Sequence, residues 1–453
     1  MWRLVFAELR YQARLWLGAF AIAVTASAIL AVMVALIVSA IDLQQSGRIS
    51  AGDFEGIIGF VSMPVLLSAV TMIVVLTGVA NLTVEAQRQN YARWQIGGVS
   101  PKRTTRVVLL QLTVLGVAAS LLGVLIAVPL TQPAFDWLAA RVPSLRDLVV
   151  GQNMWGALIT VVIVSGLMLL GGQRAARRAG RVSAIEALRA PVDPKTRMSI
   201  GRWVIAGVGC LATIGLAGGL QIVGIVGIGQ NGLFVGLALS IVLAALAPLL
   251  LGPVLGLWTG LIPARASAGW FLARNACRYR IGQSTSAVVP LTIGLILIGS
   301  FTSVFSMFVS AQTATGGGGA QMDGEANLII FGAPLVLATV AAVVTVFMSG
   351  RAREREFALI SAAGGTSRLV VRTAVLEAII YAVTALILGL VVTVATSIVV
   401  WISFARVAPR TVLAVEVVPM LILFGIGLIG LLAATVIPTA LSVRMSVREA
   451  LAA

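Results

Sequence analysis

Ten long apolar runs constrain the fold of this chain more than any other feature of its sequence. Each holds close to 20 residues or more, about the length that an α-helix needs to cross the roughly 30 Å hydrocarbon core of a bilayer. Their apolar residues are continuous rather than alternating, which excludes the strands of about ten residues that form membrane barrels. The runs cover residues 17–41, 56–80, 107–130, 154–172, 203–226, 233–258, 286–310, 328–349, 373–401 and 417–440.

Composition favours the same class of protein. Hydrophobic residues make up 59% of the 453 residues and charged residues only 11%, whereas a soluble domain is about 25% charged. A chain with so little charge cannot cover itself with a water-soluble surface. The sequence therefore predicts an all-α integral membrane protein with ten transmembrane helices.

The basic residues predict the orientation of these helices. With the N-terminus inside, 27 of the 32 Lys and Arg residues fall in cytoplasmic segments. Short loops with such a bias follow the positive-inside rule, so we expect both termini in the cytoplasm. The net charge of +16 then indicates anionic membrane lipids as partners rather than nucleic acid.

Two parts of the chain repeat each other. A shift of 266 positions aligns, without a gap, AQRQNYARWQIGGVSPKRTTRVVLLQ (86–111) with AREREFALISAAGGTSRLVVRTAVLE (352–377). A shift of 263 aligns RVSAIEALRA (181–190) with RMSVREALAA (444–453). Internal repeats of this kind decide the architecture of a protein.

The repeat predicts three domains: a four-helix unit at 1–190, a central helix pair at 191–265 and a second four-helix unit at 266–453. The central helix pair crosses the membrane twice, an even number of times, so both four-helix units should face the same way. They would therefore be parallel repeats related by an axis along the membrane normal.

A polar segment connects the second and third helices of each unit on the cytoplasmic side. We name residues 84–106 the first inner segment and residues 350–372 the second inner segment. In each, a glycine pair is expected to end a short helix, and in the first, Ser100-Pro101 fits the start of the next helix. Such a helix could be gripped by a partner that moves the attached helices, or it could only anchor to lipid.

The inner segments resemble the signature of the FtsX/MacB-type (type VII) permeases of ABC transporters: charged residues, an aromatic or aliphatic stretch, [GA]-G, then S/T with basic residues and an apolar helix ending in L-[EQ]. The R-x-S-x-x-E-A-L tails resemble that family's ending. The resemblance implies that both segments dock on a dimeric ATP-binding subunit, with one permease chain for two ATPase chains. The implied coupling residues are Arg88, Tyr91, Arg93, Trp94, Gly97, Gly98, Arg353, Glu356, Phe357, Ile360, Gly364 and Gly365.

The order of four, two and four helices is similar to the permeases of bacterial peptide-antibiotic resistance transporters. The resemblance thus implies a bacterial plasma-membrane protein that transmits ATP-driven motion to its outer face. This sequence departs from those permeases because residues 311–327 and 42–55 are too short for a large extracellular domain. A hydrophobic or amphipathic substrate taken from the bilayer, either lipid-like or an antimicrobial peptide, fits such a chain better.

The sequence lacks the residues that an ATPase or a metalloenzyme would need. It has no histidine, the commonest general base and metal ligand at neutral pH. GGVSPKR at 97–103 lacks the spacing of a phosphate-binding loop. We therefore expect no enzyme activity, metal or cofactor on this chain, with ATP and Mg²⁺ bound by the partner subunit.

Glu377 is a charge just inside the start of the ninth run, about a turn from the inner interface, and it aligns with Gln111 of the first unit. Ionisable residues at membrane depth are costly and often functional. Glu377 is predicted either to pair with an arginine at the inner face, such as Arg372 or Arg351, or to contribute to coupling.

Two other functions remain open on the sequence alone. The chain could be an FtsX-like regulator that transmits ATPase motion to an extracellular cell-wall enzyme, although its short outer loops offer little docking surface. It could also be an ion-coupled carrier, which would need charges or broken helices near the middle of the membrane.

Overall fold

The computed structural model describes residues 13–139, 149–180, 198–263, 267–279, 281–316, 324–348 and 364–442. These residues form helices and turns, without a strand among them. The helices are α1 Ala13–Gln45, α2 Ala51–Ala86, α3 Arg88–Ile96, α4 Pro101–Ala139, α5 Met154–Ala179, α6 Ile200–Gly219, α7 Ile225–Gly260, α8 Ala268–Tyr279, α9 Ile281–Ala314, α10 Gly324–Met348, α11 Ser367–Val407 and α12 Val417–Ser442.

Every one of the ten apolar runs lies within or largely within a helix. In the described part of the chain, nine helices are long and apolar enough to cross a membrane. The eighth run falls in α10, whose apolar stretch Gly332–Thr345 is shorter. The protein is therefore an all-α, multi-pass membrane protein, and the count of ten crossings stays a prediction.

The chain divides into two compact units. The first contains the described residues up to 180 together with Gly332–Val340, and the second contains the remaining described residues. The first unit therefore holds α1 to α5, and the second holds α6 to α9, α11 and α12. The predicted repeat boundaries are not decided by this division, because it groups residues by proximity and not by similarity.

Small residues bring the helices of the first unit close together. Helix α1 packs on α4, and α4 packs on α5. A Cβ atom on Gly123 of α4 would lie only 2.0 Å from Oγ of Ser27 on α1. That hydroxyl lies 2.7 Å from the Ala23 carbonyl of its own helix and 3.1 Å from the Ala119 carbonyl of α4. A Cβ atom on Gly171 of α5 would lie 2.4 Å from the Cα atom of Thr77 on α2. Close backbone approach at small residues is typical of helix packing in membranes.

The second unit uses the same helix pairings. Helix α9 packs on α11, and α11 packs on α12; these are the first, third and fourth helices of the second predicted repeat, as α1, α4 and α5 are of the first. A row of glycines on α7 also brings this helix against α9 and α11. A Cβ on Gly229 would lie 2.6 Å from the ring of Phe308, and one on Gly236 would lie 2.7 Å from Ser300.

The central helix pair is part of the second unit. Besides the packing of α7, the turn between α6 and α7 is attached to α11. Nε2 of Gln221 donates to Oγ of Ser403 at 2.8 Å, and the Arg406 guanidinium donates to the Val223 carbonyl at 3.3 Å. The pair that the sequence separates from both repeats is thus packed into this bundle.

Candidate functional site

The first inner segment contains a helix that ends at a left-handed glycine. After α3, Gly98 has φ +87°, its N–H donates to the Gln95 carbonyl at 3.1 Å, and the Val99 N–H donates to the Trp94 carbonyl at 3.0 Å. These two bonds form the Schellman motif, which satisfies carbonyls at the end of a helix. The predicted helix end is confirmed, and Gly98 rather than Gly97 is the residue that needs to be glycine.

The next helix begins where Ser100-Pro101 predicts it. Helix α4 starts at Pro101, and the Ser100 carbonyl accepts from the N–H groups of Arg103 at 2.9 Å and Thr104 at 3.1 Å. Proline is favoured in a first helical turn because its missing N–H would have no partner there. Only four residues, 97–100, therefore separate α3 from α4.

Tyr91 attaches α3 to α4 and contacts Gln87, the N-cap residue of α3 itself. The side chain is completely buried, and its hydroxyl donates to Oε1 of Gln87 at 2.6 Å. The same hydroxyl lies 3.4 Å from Oε1 of Gln111, the eleventh residue of α4. Its ring meets that of Trp94 edge-on, with centroids 5.3 Å apart. Tyr91 therefore positions α3 and is not itself available to a partner.

A second set of contacts attaches the segment to the C-terminal end of α5. Nε2 of Gln95 donates to the Ala179 carbonyl at 3.0 Å. Oγ1 of Thr105 lies within hydrogen-bond distance of two carbonyls, that of Pro101 on its own helix at 3.1 Å and that of Ala176 on α5 at 3.3 Å. Gly180 is packed so closely that an added Cβ would lie 2.3 Å from Oγ1 of Thr105. The Ala179 carbonyl lies in the last turn of α5, where carbonyls lack partners within the helix; the Ala176 carbonyl also accepts from the Gly180 N–H at 3.1 Å.

The remaining face of the segment is exposed and basic. Of the predicted coupling residues, Arg93, Gly97 and Gly98 are exposed and Trp94 is half-buried, whereas the Arg88 side chain lies outside the described residues. The exposed face continues into the first turns of α4. There it carries Lys102, Arg103 and Arg106.

The second inner segment is described only from Gly364 onward. Gly364, which aligns with Gly98, is exposed and has φ +86°, and its neighbour Gly365 is half-buried. Thr366, which aligns with Ser100, caps α11, its Oγ1 accepting from the Leu369 N–H at 3.4 Å. The other predicted coupling residues of this segment lie outside the described residues: Arg353, Glu356, Phe357 and Ile360.

Glu377 is buried on α11, with 3% of its surface exposed, and Gln111 is fully buried at the aligned position of α4. Arg372, one of its predicted partners, is exposed, and Arg351 lies outside the described residues. Both explanations of Glu377, pairing and coupling, stay predictions.

Sequence reasoning missed the amides that fix α3. Gln87 and Gln111 are buried side by side around the Tyr91 hydroxyl, and Nε2 of each lacks a hydrogen-bond partner in the structure. The alignment of Gln111 with Glu377 was the one available signal that a polar group is buried here. Gln95 and Thr105 gave none, because their partners lie more than 70 residues away in sequence.

Among the described residues, no three His, Cys, Asp or Glu side chains are grouped closely enough to hold a metal ion. The two cysteines are not bonded to each other: Cys210 is exposed and Cys277 is buried. In the comparisons with known proteins, no family model and no curated protein matches this chain.

Proposed function

We propose that this chain is the transmembrane permease subunit of an ABC transporter of the FtsX/MacB type. A separate, dimeric ATP-binding subunit would hydrolyse ATP with Mg²⁺ and dock on the two inner segments. The observation that carries the proposal is the first inner segment, where a short helix is attached to two membrane helices while its basic face stays exposed.

The burial of α3 supports docking over lipid anchoring. An interfacial anchor needs an apolar face directed to the lipid. In α3 the apolar surfaces of Tyr91 and Ala92 are buried against protein. Among the described side chains of α3, the exposed ones are Arg93 and Ile96, the latter with 54% of its surface exposed. One charge beside one aliphatic side chain suits a protein partner better than a hydrocarbon layer.

The attachments of α3 support transmission of force. Tyr91 links α3 to α4, and Gln95 links it to the end of α5. A partner that moves α3 must therefore move both membrane helices or break buried contacts. The left-handed glycine that recurs at Gly364 supports a second docking segment of the same design, as the predicted repeat requires.

The short connections on the predicted outer side support a substrate taken from the bilayer. Residues 46–50 join α1 to α2, 220–224 join α6 to α7, and 408–416 join α11 to α12. None is long enough for a folded domain that would capture a bulky substrate. We therefore favour export or extraction of a lipid-like molecule or an antimicrobial peptide. The same short connections disfavour the regulator of a cell-wall enzyme.

Reversing one exposed charge tests the docking assignment. The chain is co-expressed with its cognate ABC ATP-binding subunit, the complex is purified, and ATPase activity is measured. Arg93→Glu should weaken co-purification and ATPase stimulation by about tenfold, since an interface charge of the wrong sign costs more than 1 kcal/mol. The control is Arg410→Glu, which reverses an exposed charge in the connection 408–416. Unchanged association of Arg93→Glu would refute the assignment.

A further inference from the structure

Three buried hydroxyl groups in the second unit have no hydrogen-bond partner among the described residues. They belong to Ser300 of α9 and to Thr393 and Ser397 of α11, and none of these side chains has more than 3% of its surface exposed. A hydroxyl on a membrane helix commonly donates to the carbonyl four residues earlier. Thr396 of α11 does so, to Val392 at 2.9 Å. The three exceptions therefore need an explanation of their own.

Two of these hydroxyls are covered by closely packed glycines. A Cβ atom on Gly299 of α9 would lie 2.7 Å from Oγ1 of Thr393 and 2.5 Å from Sδ of Met420 on α12. A Cβ atom on Gly236 of α7 would lie 2.8 Å from Oγ of Ser300. On this side neither oxygen has room for a water molecule, which needs space and several polar partners. Each hydroxyl instead lies against the backbone of a neighbouring helix.

The corresponding helix contact of the first unit differs on this point. There α1 packs on α4, and Oγ of Ser27 lies within hydrogen-bond distance of two carbonyls, those of Ala23 and Ala119. That contact therefore buries a hydroxyl together with its acceptors, whereas the contact between α9 and α11 buries hydroxyls without them. A hydroxyl buried without a partner destabilises the packing in which it lies, and an apolar side chain of the same shape would not.

Two consecutive residues of α9 indicate a packing that would pair these hydroxyls. In the structure Gly299 faces Thr393 of α11, while Ser300 faces Gly236 of α7. Consecutive residues lie about 100° apart around a helix axis, so a rotation of α9 in one sense moves Ser300 toward Thr393. Glycine at position 299 has no side chain to obstruct this movement. Met420 would have to shift, and methionine is the apolar side chain that adapts most easily.

We propose that the contact between α9 and α11 is a two-state switch. In its second packing, reached by this rotation, the hydroxyls of Ser300 and Thr393 bond to each other. Packed helix interfaces change between discrete arrangements of this kind and do not deform continuously. The proposal goes beyond the permease function above and does not depend on a partner ATPase. It places an internal rearrangement in the second unit, because the Ser27 hydroxyl of the first unit already has acceptors.

The methyl group of Met420 reports on this contact, because its sulfur lies against Gly299. The full chain is labelled at its methionine methyl groups, and the Met420 resonance, assigned with Met420→Leu, is followed by relaxation dispersion. We expect exchange between two states. Thr393→Val should lower the population of the second packing about fivefold, the effect of one hydrogen bond. Adding Ser300→Ala should lower it no further, since both changes remove the same bond.

Thr396→Val is the matched control, because it removes a hydroxyl that is already bonded on the same helix. It should change the population less than twofold and should not raise the thermal midpoint, which Thr393→Val should raise by roughly 2 °C. A Met420 resonance without exchange, or equal populations in the two valine variants, would overturn the switch. So would a midpoint that Thr393→Val lowers, since its hydroxyl would then have a partner in this packing. Ser300→Ala gives the same readouts if Thr393→Val does not fold.

Discussion

Replacing Gly98 with alanine tests the turn between α3 and α4. Gly98 has φ +87°, and no atom lies within 4 Å of the Cβ that alanine would add. The substitution therefore creates backbone strain without a clash. For an L-residue, the left-handed region costs roughly 1–2 kcal/mol relative to the right-handed one. This strain should favour opening of the turn by about 5- to 30-fold.

Hydrogen exchange at Val99 measures this opening. The Val99 N–H is bonded to the Trp94 carbonyl at 3.0 Å only while the Schellman motif is closed. Local opening controls the exchange of such an amide, so the exchange rate should rise by the same 5- to 30-fold. Gly98→Asn should raise it less, since asparagine tolerates the left-handed region better than other residues with a side chain.

Gly97→Ala is the matched control at the neighbouring position. Gly97 has φ −75° and ψ 11°, and an added Cβ would lie 3.4 Å from the Trp94 carbonyl oxygen, an ordinary contact. Its Val99 exchange rate should stay within about twofold of the parent because alanine adopts this conformation without strain. Equal exchange in Gly97→Ala and Gly98→Ala would refute the assignment of the left-handed position.

Two further predictions concern packing and coupling. Gly171→Ala should lower the thermal midpoint of the detergent-solubilised protein, because the added Cβ would lie 2.4 Å from the Thr77 backbone and overpacking costs about 1–3 kcal/mol. Gly166→Ala, on the same helix with open space around it, should leave the midpoint unchanged. Equal midpoints for the two variants would contradict the contact between Gly171 and Thr77. Bulky residues at either glycine pair, or Phe357→Asp, should abolish stimulation of the partner ATPase without preventing membrane insertion, and stimulation that survives all of them would show that the inner segments do not couple.

The helices and their approximate ends could be predicted because the solvent imposes them. A backbone in hydrocarbon must satisfy its own hydrogen bonds, so each apolar run had to become a helix whatever it packs against. The end of α3 was predictable for a different local reason. A glycine pair before Ser100-Pro101 combines a helix stop with a helix start, and both depend only on neighbouring residues.

The attachments of the first inner segment could not be predicted, because they depend on distant residues. Tyr91 was expected on a docking surface, but it is buried beside Gln111, while Gln95 binds the end of α5. The central pair is a similar case. The pair has no counterpart in the repeat, so the sequence did not indicate which helices it packs against. The glycines of α7 contact α9 and α11 only in the folded protein.

These attachments determine how motion would pass through the first unit. Gln95 and Thr105 reach α5 from opposite sides of the Gly98 turn, so α3 and the start of α4 are both attached to one helix end. In the proposed docking, a load that a partner places on α3 would be shared by α4 and α5 and would not bend the turn between α3 and α4. The turn fixes the angle at which α3 leaves the membrane helices. It follows that strain at Gly98 should weaken coupling by misdirecting α3, even where the partner still binds.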